Sequence, residues 1–191
     1  MTGSDTPDAV AEAMSAIRRQ SFLPPAQRAH AHEDRPLPLG HGQTNSQPST
    51  VAAMLRLLEV PLGAHVLDIG SGSGWTTALL ARLVGPGGKV LGLELEPELS
   101  EWGADNLAAW GMPWARIETA RPGLLGRPQV GGWSRILVSA AGRDLPDVLV
   151  AQLADGGRMV LPVRSTMWLV ERRGTHVDRT ACGAYAFVPL R

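Results

Sequence analysis

Short apolar runs alternate with segments of helical periodicity through the middle of the chain. Val51, Met54, Leu55 and Leu58 recur at a spacing that places them on one helix face, whereas residues 65–69 form a short apolar run typical of a buried strand. The same reasoning predicts helices over 48–60, 75–84, 97–110 and 145–153, and strands over 65–69, 89–95, 114–119, 135–139 and 158–161. Strands that alternate with helices are joined by crossovers. The sequence therefore predicts an α/β fold with a doubly wound, mostly parallel sheet and helices on both faces.

The N-terminal part of the chain departs from this alternation. Residues 8–20 have helical spacing, but residues 26–47 are polar, rich in proline and glycine, and without a clear period. A structureless segment of this length in a compact domain is often functional. We therefore predict an N-terminal helix and substrate-side arm over 1–47, which folds over the site, and a ligand-binding domain over 48–191.

The C-terminal part changes its period as well. Residues 166–172 and 185–190 have the apolar content of two strands, with a polar turn region around Gly174 between them. This pattern predicts an antiparallel hairpin added to the edge of the sheet.

Composition and charge narrow the classes of function. The 191 residues suffice for one domain with an arm, and 18 basic against 18 acidic residues give a net charge of zero. A neutral chain lacks the basic field of a nucleic-acid-binding protein, and no apolar run is long enough to span a membrane. The single cysteine, Cys182, excludes a disulfide framework within the chain and a multi-cysteine metal site, and residues 1–20 lack the apolar segment of a secretory signal. We expect a cytoplasmic monomer without a metal ion.

A glycine-rich loop follows the first strand of the predicted domain. Residues 65–74 read His-Val-Leu-Asp-Ile-Gly-Ser-Gly-Ser-Gly, and a helix begins directly at Trp75. Glycines at such a place allow a sharp turn and the close approach of a ligand. Glu94 ends the next strand, 20 residues after Gly74, where an acid can accept hydrogen bonds from ribose hydroxyls. The pattern predicts a ligand that contains a nucleoside, the alternative being an ordinary glycine-rich turn without a ligand.

The details of the loop favour S-adenosylmethionine as that ligand. Counting from Gly70, the dinucleotide fingerprint requires glycine where Trp75 stands, and the Gly-Lys-Ser/Thr ending of a phosphate loop is absent. A carboxylate at Asp68 would repel a pyrophosphate but suits a cationic ligand. Trp75 either forms a wall of the cofactor site or only packs on the sheet. The predicted cofactor-binding residues are Asp68, Gly70, Ser71, Gly72, Ser73, Gly74, Trp75, Glu94 and Leu95.

Residues 37–48 read Leu-Pro-Leu-Gly-His-Gly-Gln-Thr-Asn-Ser-Gln-Pro and resemble the segment that precedes the domain helix in the protein-L-isoaspartate O-methyltransferase family. Further matches cover the cofactor loop over 66–74 and the strands over 136–141, 153–163 and 187–190. The resemblance extends over about 22–190. It implies the transfer of a methyl group from S-adenosylmethionine to the free α-carboxylate of L-isoaspartyl residues in damaged proteins or peptides. The ester then closes to a succinimide that reopens in part to normal aspartate, which repairs the protein.

The residues of this segment suit that chemistry. A carboxylate is already ionised at neutral pH, so it needs no general base to attack a methyl-sulfonium. It needs orienting donors, which Thr44 and Ser46 can provide just before a helix N-terminus. The resemblance places the family's proposed active-site serine at Ser46, although this serine could instead only cap the helix that Pro48 begins. The predicted catalytic residues are Ser46 and Thr44, and the predicted substrate-binding residues are Gln43, Asn45, Ala140 and Ala141.

Three positions differ from the family pattern. Asn45 stands where the family usually has isoleucine, and Arg164 stands where it often has glycine. Residues 120–123 occupy the place of a turn whose acid binds the adenine side of the cofactor, but they contain no acid. Two alternatives therefore stay open, namely a carboxylate methyltransferase for a dedicated biosynthetic peptide or small acid, and a non-catalytic binding module on the same fold.

Overall fold

A seven-stranded mixed sheet lies at the centre of the computed structural model, which describes residues 8–190. The helices are α1 (Ala9–Ala16), α2 (Pro48–Leu58), α3 (Trp75–Val84), α4 (Pro97–Ala108) and α5 (Asp147–Val150). The strands are β1 (Leu37–Gly40), β2 (Gln43–Asn45), β3 (His65–Ile69), β4 (Lys89–Glu94), β5 (Ala115–Thr119), β6 (Trp133–Val138), β7 (Leu153–Val163), β8 (Thr166–Arg173) and β9 (His176–Ala184). The sheet has the order β5-β4-β3-β6-β7-β8-β9, parallel from β5 to β7 and antiparallel from β7 to β9. This arrangement confirms the predicted fold class.

The two faces of the sheet bury different apolar clusters. Val66 in β3 packs into a cluster with buried residues of α1 to α4, whereas Leu67 and Ile69 pack on the opposite face, where Leu149 of α5 also lies. The alternation follows from the two-residue repeat of a strand. Four helices therefore cover one face, and one short helix contributes to covering the other.

The N-terminal arm packs against the domain. Asp8 caps α1, because its Oδ1 accepts the N–H groups of Val10 and Ala11. Two short 3-10 turns follow, and the Phe22 ring stacks on Trp110 with 6.0 Å between the ring centroids. The first seven residues of the predicted arm, and Arg191 at the end of the predicted domain, lie outside the described residues.

The prediction that residues 26–47 lack regular structure is wrong in part. A 3-10 turn covers Pro25–His30, and β1 and β2 form an antiparallel ribbon. The ribbon turns over residues 40–42, all three with positive φ. The positive φ favours glycine, which stands at both ends of the turn. The strands were missed because they have only four and three residues, too few to show a period.

The helix predicted over 145–153 is wrong in its length. Only the four residues of α5 are helical, and β7 already begins at Leu153. The glycines at 156 and 157 do not end a helix but lie within β7. The register with β6 shifts there. Trp133 and Arg135 are two residues apart in β6, but their partners in β7, Leu153 and Arg158, are five apart. The extra residues form an irregularity of the kind that a sheet accommodates as a bulge.

The C-terminal hairpin is present, but its second strand was predicted in the wrong place. The chain turns at Gly174, Arg173 pairs with His176, and β9 therefore starts directly after the turn. β9 is an edge strand in which none of the nine residues is buried, so its sequence lacks the apolar alternation of a strand with one face in the core. Residues 185–190 run beside the site instead and make one isolated bridge, at Pro189. Within residues 8–190, no helix has the length and apolarity needed to cross a membrane.

Candidate active site

A cavity of about 540 Å³ opens at the carboxyl ends of three central strands. Ile69, Glu94 and Ser139 stand at or just after the ends of β3, β4 and β6, and all three line it. Residues 120–126 and 188–190 form a further part of the wall. Ligands of open α/β sheets bind at this edge, where the strand order reverses.

The glycine loop between β3 and α3 lies in direct contact with α4. Gly74 has a φ of +92°, and a Cβ atom there would lie 2.7 Å from the carbonyl oxygen of Gly103. A Cβ atom on Gly103 would in turn lie 2.6 Å from the carbonyl oxygen of Gly72. Because neither position has room for a side chain, the loop and the helix meet backbone to backbone. Gly70 and Gly72 are thereby left to line the cavity.

The Glu94 carboxylate holds this loop and still faces the cavity. Its Oε2 accepts the N–H of Gly72 at 2.8 Å, and its Oε1 accepts the N–H groups of Leu95 and Glu96 at 2.8 and 3.0 Å. A carboxylate offers about four acceptor positions, so these three bonds leave capacity for another donor. Glu94 therefore suits a ligand hydroxyl, as its position in the sequence predicted.

The Asp68 carboxylate lies beneath the loop rather than in the cavity wall. Its Oδ2 accepts hydroxyl hydrogen bonds from Thr76 and Thr77 at 2.8 and 2.7 Å, while its Oδ1 has no partner among the described residues. Burial raises the pKa of Asp68 to about 6. The Ser71 hydroxyl, in the same loop, is also buried without a partner. Two unpaired polar atoms, one in the glycine loop and one on a carboxylate beneath it, fit a ligand that carries positive charge and hydrogen-bond donors.

Thr44 in β2 and Ser46, in the short segment between β2 and α2, both line the cavity. The alternative in which Ser46 only caps α2 is wrong. Gln47 is the residue at the cap position, and the N–H of Ser49 bonds to the carboxylate of Asp34 at 2.8 Å instead. Because an acid of the arm satisfies the helix terminus, Ser46 is not needed for that purpose.

A second cavity, of about 670 Å³, adjoins the first. The two share Thr44, Ser46, Ser139 and Val188 as lining residues. The outer side of the second cavity is formed by Pro36, Gln47, Ser49, Thr50 and residues 184–187. The hydroxyl-bearing residues Thr44, Ser46 and Ser139 thus stand in a common wall between two spaces.

Eight of the residues predicted for the site line the first cavity, namely Gln43, Thr44, Ser46, Gly70, Gly72, Glu94, Leu95 and Ala140. Asn45, Ser71, Ser73 and Trp75 line a small space of about 20 Å³ at the glycine loop instead. Asp68, Gly74 and Ala141 line neither space. Ala141 is engaged through its backbone, because its N–H bonds to Val188 and its carbonyl accepts from Leu190.

Trp75 does not form a wall of the first cavity. Its side chain is buried, its Nε1 donates to the carbonyl of Ile17 at 3.0 Å, and its ring contacts the Arg19 guanidinium. The indole therefore joins the domain to the arm.

Sequence reasoning missed several residues of the cavity, among them Ser139, Arg143 and residues 188–190. Residues 188–190 were missed because the sequence predicted a strand there. Within the described part of the chain, no three His, Cys, Asp or Glu side chains are placed to hold a metal ion.

The comparison of the whole sequence with protein families agrees with the geometry. Residues 2–191 match the family model described as Protein-L-isoaspartate(D-aspartate) O-methyltransferase (PCMT). The chain belongs to this family. The match confirms the resemblance found in the sequence.

Individual relatives of the protein-L-isoaspartate O-methyltransferase family show how far the similarity extends. The protein of that name from Aeropyrum pernix is 48% identical over 162 residues, which are 85% of this chain and 62% of the relative. The one from Methanopyrus kandleri is 41% identical over 186 residues, which are 95% of this chain and 82% of the relative. This chain thus spans less than two thirds of the Aeropyrum pernix protein. A Plasmodium falciparum structure in complex with S-adenosyl-L-homocysteine has the same fold, with a TM-score of 0.83 at 22% identity over 97% of this chain and 91% of the other.

The differences from the protein-L-isoaspartate O-methyltransferase pattern lie mostly away from the first cavity. Asn45 faces Arg19 and the glycine loop, and Arg164 is exposed at the turn between β7 and β8. Residues 120–123 do line the cavity without an acid. Glu118 does not replace that acid, because its carboxylate pairs with Arg116 and Arg127, which also hold its pKa below the usual range.

Proposed function

We propose that this protein transfers the methyl group of S-adenosylmethionine to the free carboxylate of L-isoaspartyl residues in damaged proteins or peptides. Membership of the family supports the reaction, and the names of the relatives support the acceptor. The observation that carries the proposal is the wall shared by two cavities, to which the hydroxyl-bearing residues Thr44 and Ser46 belong. One cavity suits the cofactor and the other suits an acceptor peptide.

The cofactor side of the proposal rests on the glycine loop and Glu94. S-adenosylmethionine supplies, when bound, a methyl group on a positively charged sulfur. The backbone of Gly70 and Gly72 allows close approach, Glu94 accepts from ribose hydroxyls, and Leu95 and residues 120–125 offer apolar contact to adenine. Four further residues belong to the cofactor side. The loop itself contains Ser71, Ser73 and Gly74, and the Asp68 carboxylate lies beneath it.

The acceptor side needs orientation rather than a base. The carboxylate arrives ionised, so Thr44 and Ser46 act by donating hydrogen bonds that hold one oxygen while the other faces the first cavity. Ala140 and Gln43 border the same point. The carboxylate oxygen forms a bond to the methyl carbon as the carbon–sulfur bond breaks, and the sulfur keeps the electron pair.

Methyl transfer to matched peptides tests the proposal. Labelled S-adenosylmethionine should yield a base-labile ester on an isoaspartyl peptide and not on the same peptide with normal aspartate. Ser46→Ala and Thr44→Val should each lower kcat/KM by about 10- to 100-fold, since each removes a donor to a charged group. Ser15→Ala, at an exposed position of α1, is the matched control and should leave the rate unchanged.

Several outcomes separate this function from its alternatives. Equal methylation of both peptides, or of neither, would contradict repair. Transfer to a small acid or one precursor peptide alone would favour a dedicated carboxylate methyltransferase. Failure to bind the cofactor in calorimetry would favour a non-catalytic module.

The proposal also covers the compartment, the oligomeric state, the partners and the division of the chain. We propose a cytoplasmic monomer that acts without nucleic acid or a metal ion, with an arm over residues 1–47 on the acceptor side and a methyltransferase domain over 48–191. The zero net charge supports the absence of a nucleic-acid partner, and the single cysteine supports a reducing compartment. Light scattering after gel filtration should give the mass of one chain, and a dimer would contradict this part.

A further inference from the structure

The buried side chain of Arg19 connects two separate segments of the arm. Its Nε donates to the Oδ1 of Asn45 at 2.7 Å, and its Nη2 donates to the carbonyl oxygens of Asn45 and Ser46 at 3.0 and 2.9 Å. The same guanidinium donates to the carbonyl oxygens of Glu33 and Arg35 at 3.0 and 2.8 Å. One side chain thus satisfies four carbonyl groups and one amide, and Ser46 is among them.

The contacts continue from this cluster to the glycine loop. The Nδ2 of Asn45 donates to the Oγ of Ser73 at 3.2 Å, so the amide bridges Arg19 and the loop. The guanidinium also lies 5.6 Å from the centroid of the Trp75 ring, at the first turn of α3. The arm, residues 45–46 and the glycine loop therefore meet at Arg19.

Arg19 is a buried cation without an ion pair, so other groups must stabilise its charge. Arg19 is only 5% exposed, and no carboxylate of residues 8–190 lies within ion-pair distance of it. Burial lowers the pKa of Arg19 to about 10, which still leaves the group charged at neutral pH. Its direct partners are carbonyl oxygens and an aromatic face, and the carboxylates of Asp34 and Glu33 favour the charge from a longer distance. A guanidinium matches these direct partners better than an ammonium because its five donors are fixed in a plane.

We infer that Arg19 is a positioning residue for methyl transfer, which acts by fixing the backbone at Asn45 and Ser46 so that Thr44 and Ser46 stand in the wall between the cavities. The inference rests on the proposed function for its kinetic consequence only. Its structural content, the ordering of residues 43–47 by Arg19, stands apart from the reaction.

Arg19→Lys tests the inference, with Arg18→Lys as the matched control on the neighbouring exposed arginine. An ammonium cannot donate to both segments in one plane. Hydrogen exchange of residues 43–47 should therefore speed up at least tenfold in Arg19→Lys, while exchange in β3 and β6 stays unchanged. The control should match the wild type throughout.

Kinetics separate positioning from a general loss of structure. In Arg19→Lys, kcat/KM for an isoaspartyl peptide should fall at least tenfold. The affinity for S-adenosylhomocysteine should change less than threefold, because the glycine loop keeps Asn45 as its partner. A loss of structure would lower both together.

Asn45→Ala provides a second variant should Arg19→Lys fail to fold. It removes one acceptor of the guanidinium and the bridge to Ser73, and should also speed exchange over 43–47. Unchanged exchange over 43–47 in every one of these two variants that folds would overturn the inference, whether or not the wild type methylates peptides. A wild type that methylates no isoaspartyl peptide would overturn the proposed function instead.

Discussion

Replacement of Asp68 by asparagine should stabilise the cofactor-free protein at neutral pH. Burial raises the pKa of this carboxyl to about 6 from its usual 3.8, so the ionised form above pH 6 is held at a cost in stability. At ~1.4 kcal/mol for each pKa unit, the shift corresponds to ~3 kcal/mol. Asparagine has the same shape and no charge, and its amide oxygen can accept the hydrogen bonds that Thr76 and Thr77 donate to Oδ2. Its amide nitrogen then takes the place of Oδ1, which has no partner, so ~3 kcal/mol is the upper value of the gain.

The gain in stability should depend on pH, because the folded protein binds the Asp68 proton more tightly than the unfolded chain does. Between pH 3.8 and about 6, the folded protein keeps the Asp68 proton while the unfolded chain has lost it. The wild type therefore loses stability as the pH rises through this window, and asparagine removes the loss. The difference in unfolding free energy between variant and wild type should be at most ~3 kcal/mol above pH 7 and about half of that at pH 5.

Urea unfolding of the cofactor-free proteins at pH 5 and 7.5 measures both values. Asp105→Asn, at an exposed position of α4, changes the net charge equally and should stay within ~0.5 kcal/mol of the wild type. Asp68→Asn should also bind S-adenosylmethionine about tenfold more weakly, because the cationic ligand loses a nearby carboxylate. A variant no more stable than the wild type at pH 7.5, or a difference independent of pH, would refute the reasoning.

Three further substitutions test other parts of the structure. Gly103→Ala should lower the melting temperature by about 2–4 °C and weaken cofactor binding, because the new methyl group meets the carbonyl of Gly72, whereas Gly87→Ala, in open space, should do neither. An unchanged melting curve would contradict the close approach. Glu94→Gln should weaken S-adenosylhomocysteine binding about 10- to 100-fold in calorimetry, since an amide cannot accept all three backbone N–H groups; equal affinity would show that the carboxylate is dispensable. Leu137→Ala, at a fully buried position of β6, should cost about 2–5 kcal/mol in urea unfolding, and a loss below 1 kcal/mol would contradict its place in the core.

The central strands were predictable because burial dominates their sequence. β3 and β4 are apolar runs of five or six residues ended by a glycine loop and an acid, and the structure places them within one residue of the prediction. Local pattern and global fold agree there, so the sequence suffices.

The errors fall where tertiary contacts override local pattern. Residues 185–190 are apolar because they wall the cavities, not because they form a strand. β9 is a strand although none of its residues is buried, because pairing with β8 begins at once after Gly174.

The part of the site that comes from distant segments could not be read from the sequence. Nothing local to Arg19 indicates that its guanidinium reaches Asn45, 26 residues away. In the same way, the cap of α2 by Asp34 requires the arm to fold back first. Pairing of this kind depends on chain geometry rather than on periodicity.

The shared wall of Thr44, Ser46 and Ser139 also bears on how large an acceptor can be. Under the proposed function, only one carboxylate has to reach the wall, and the rest of the polypeptide stays on the outer side of the second cavity. The volume of the cofactor cavity then sets no limit on the partner. A short peptide and the flexible loop of an intact protein present the same few atoms, so turnover should follow the local mobility of the damaged residue rather than molecular mass.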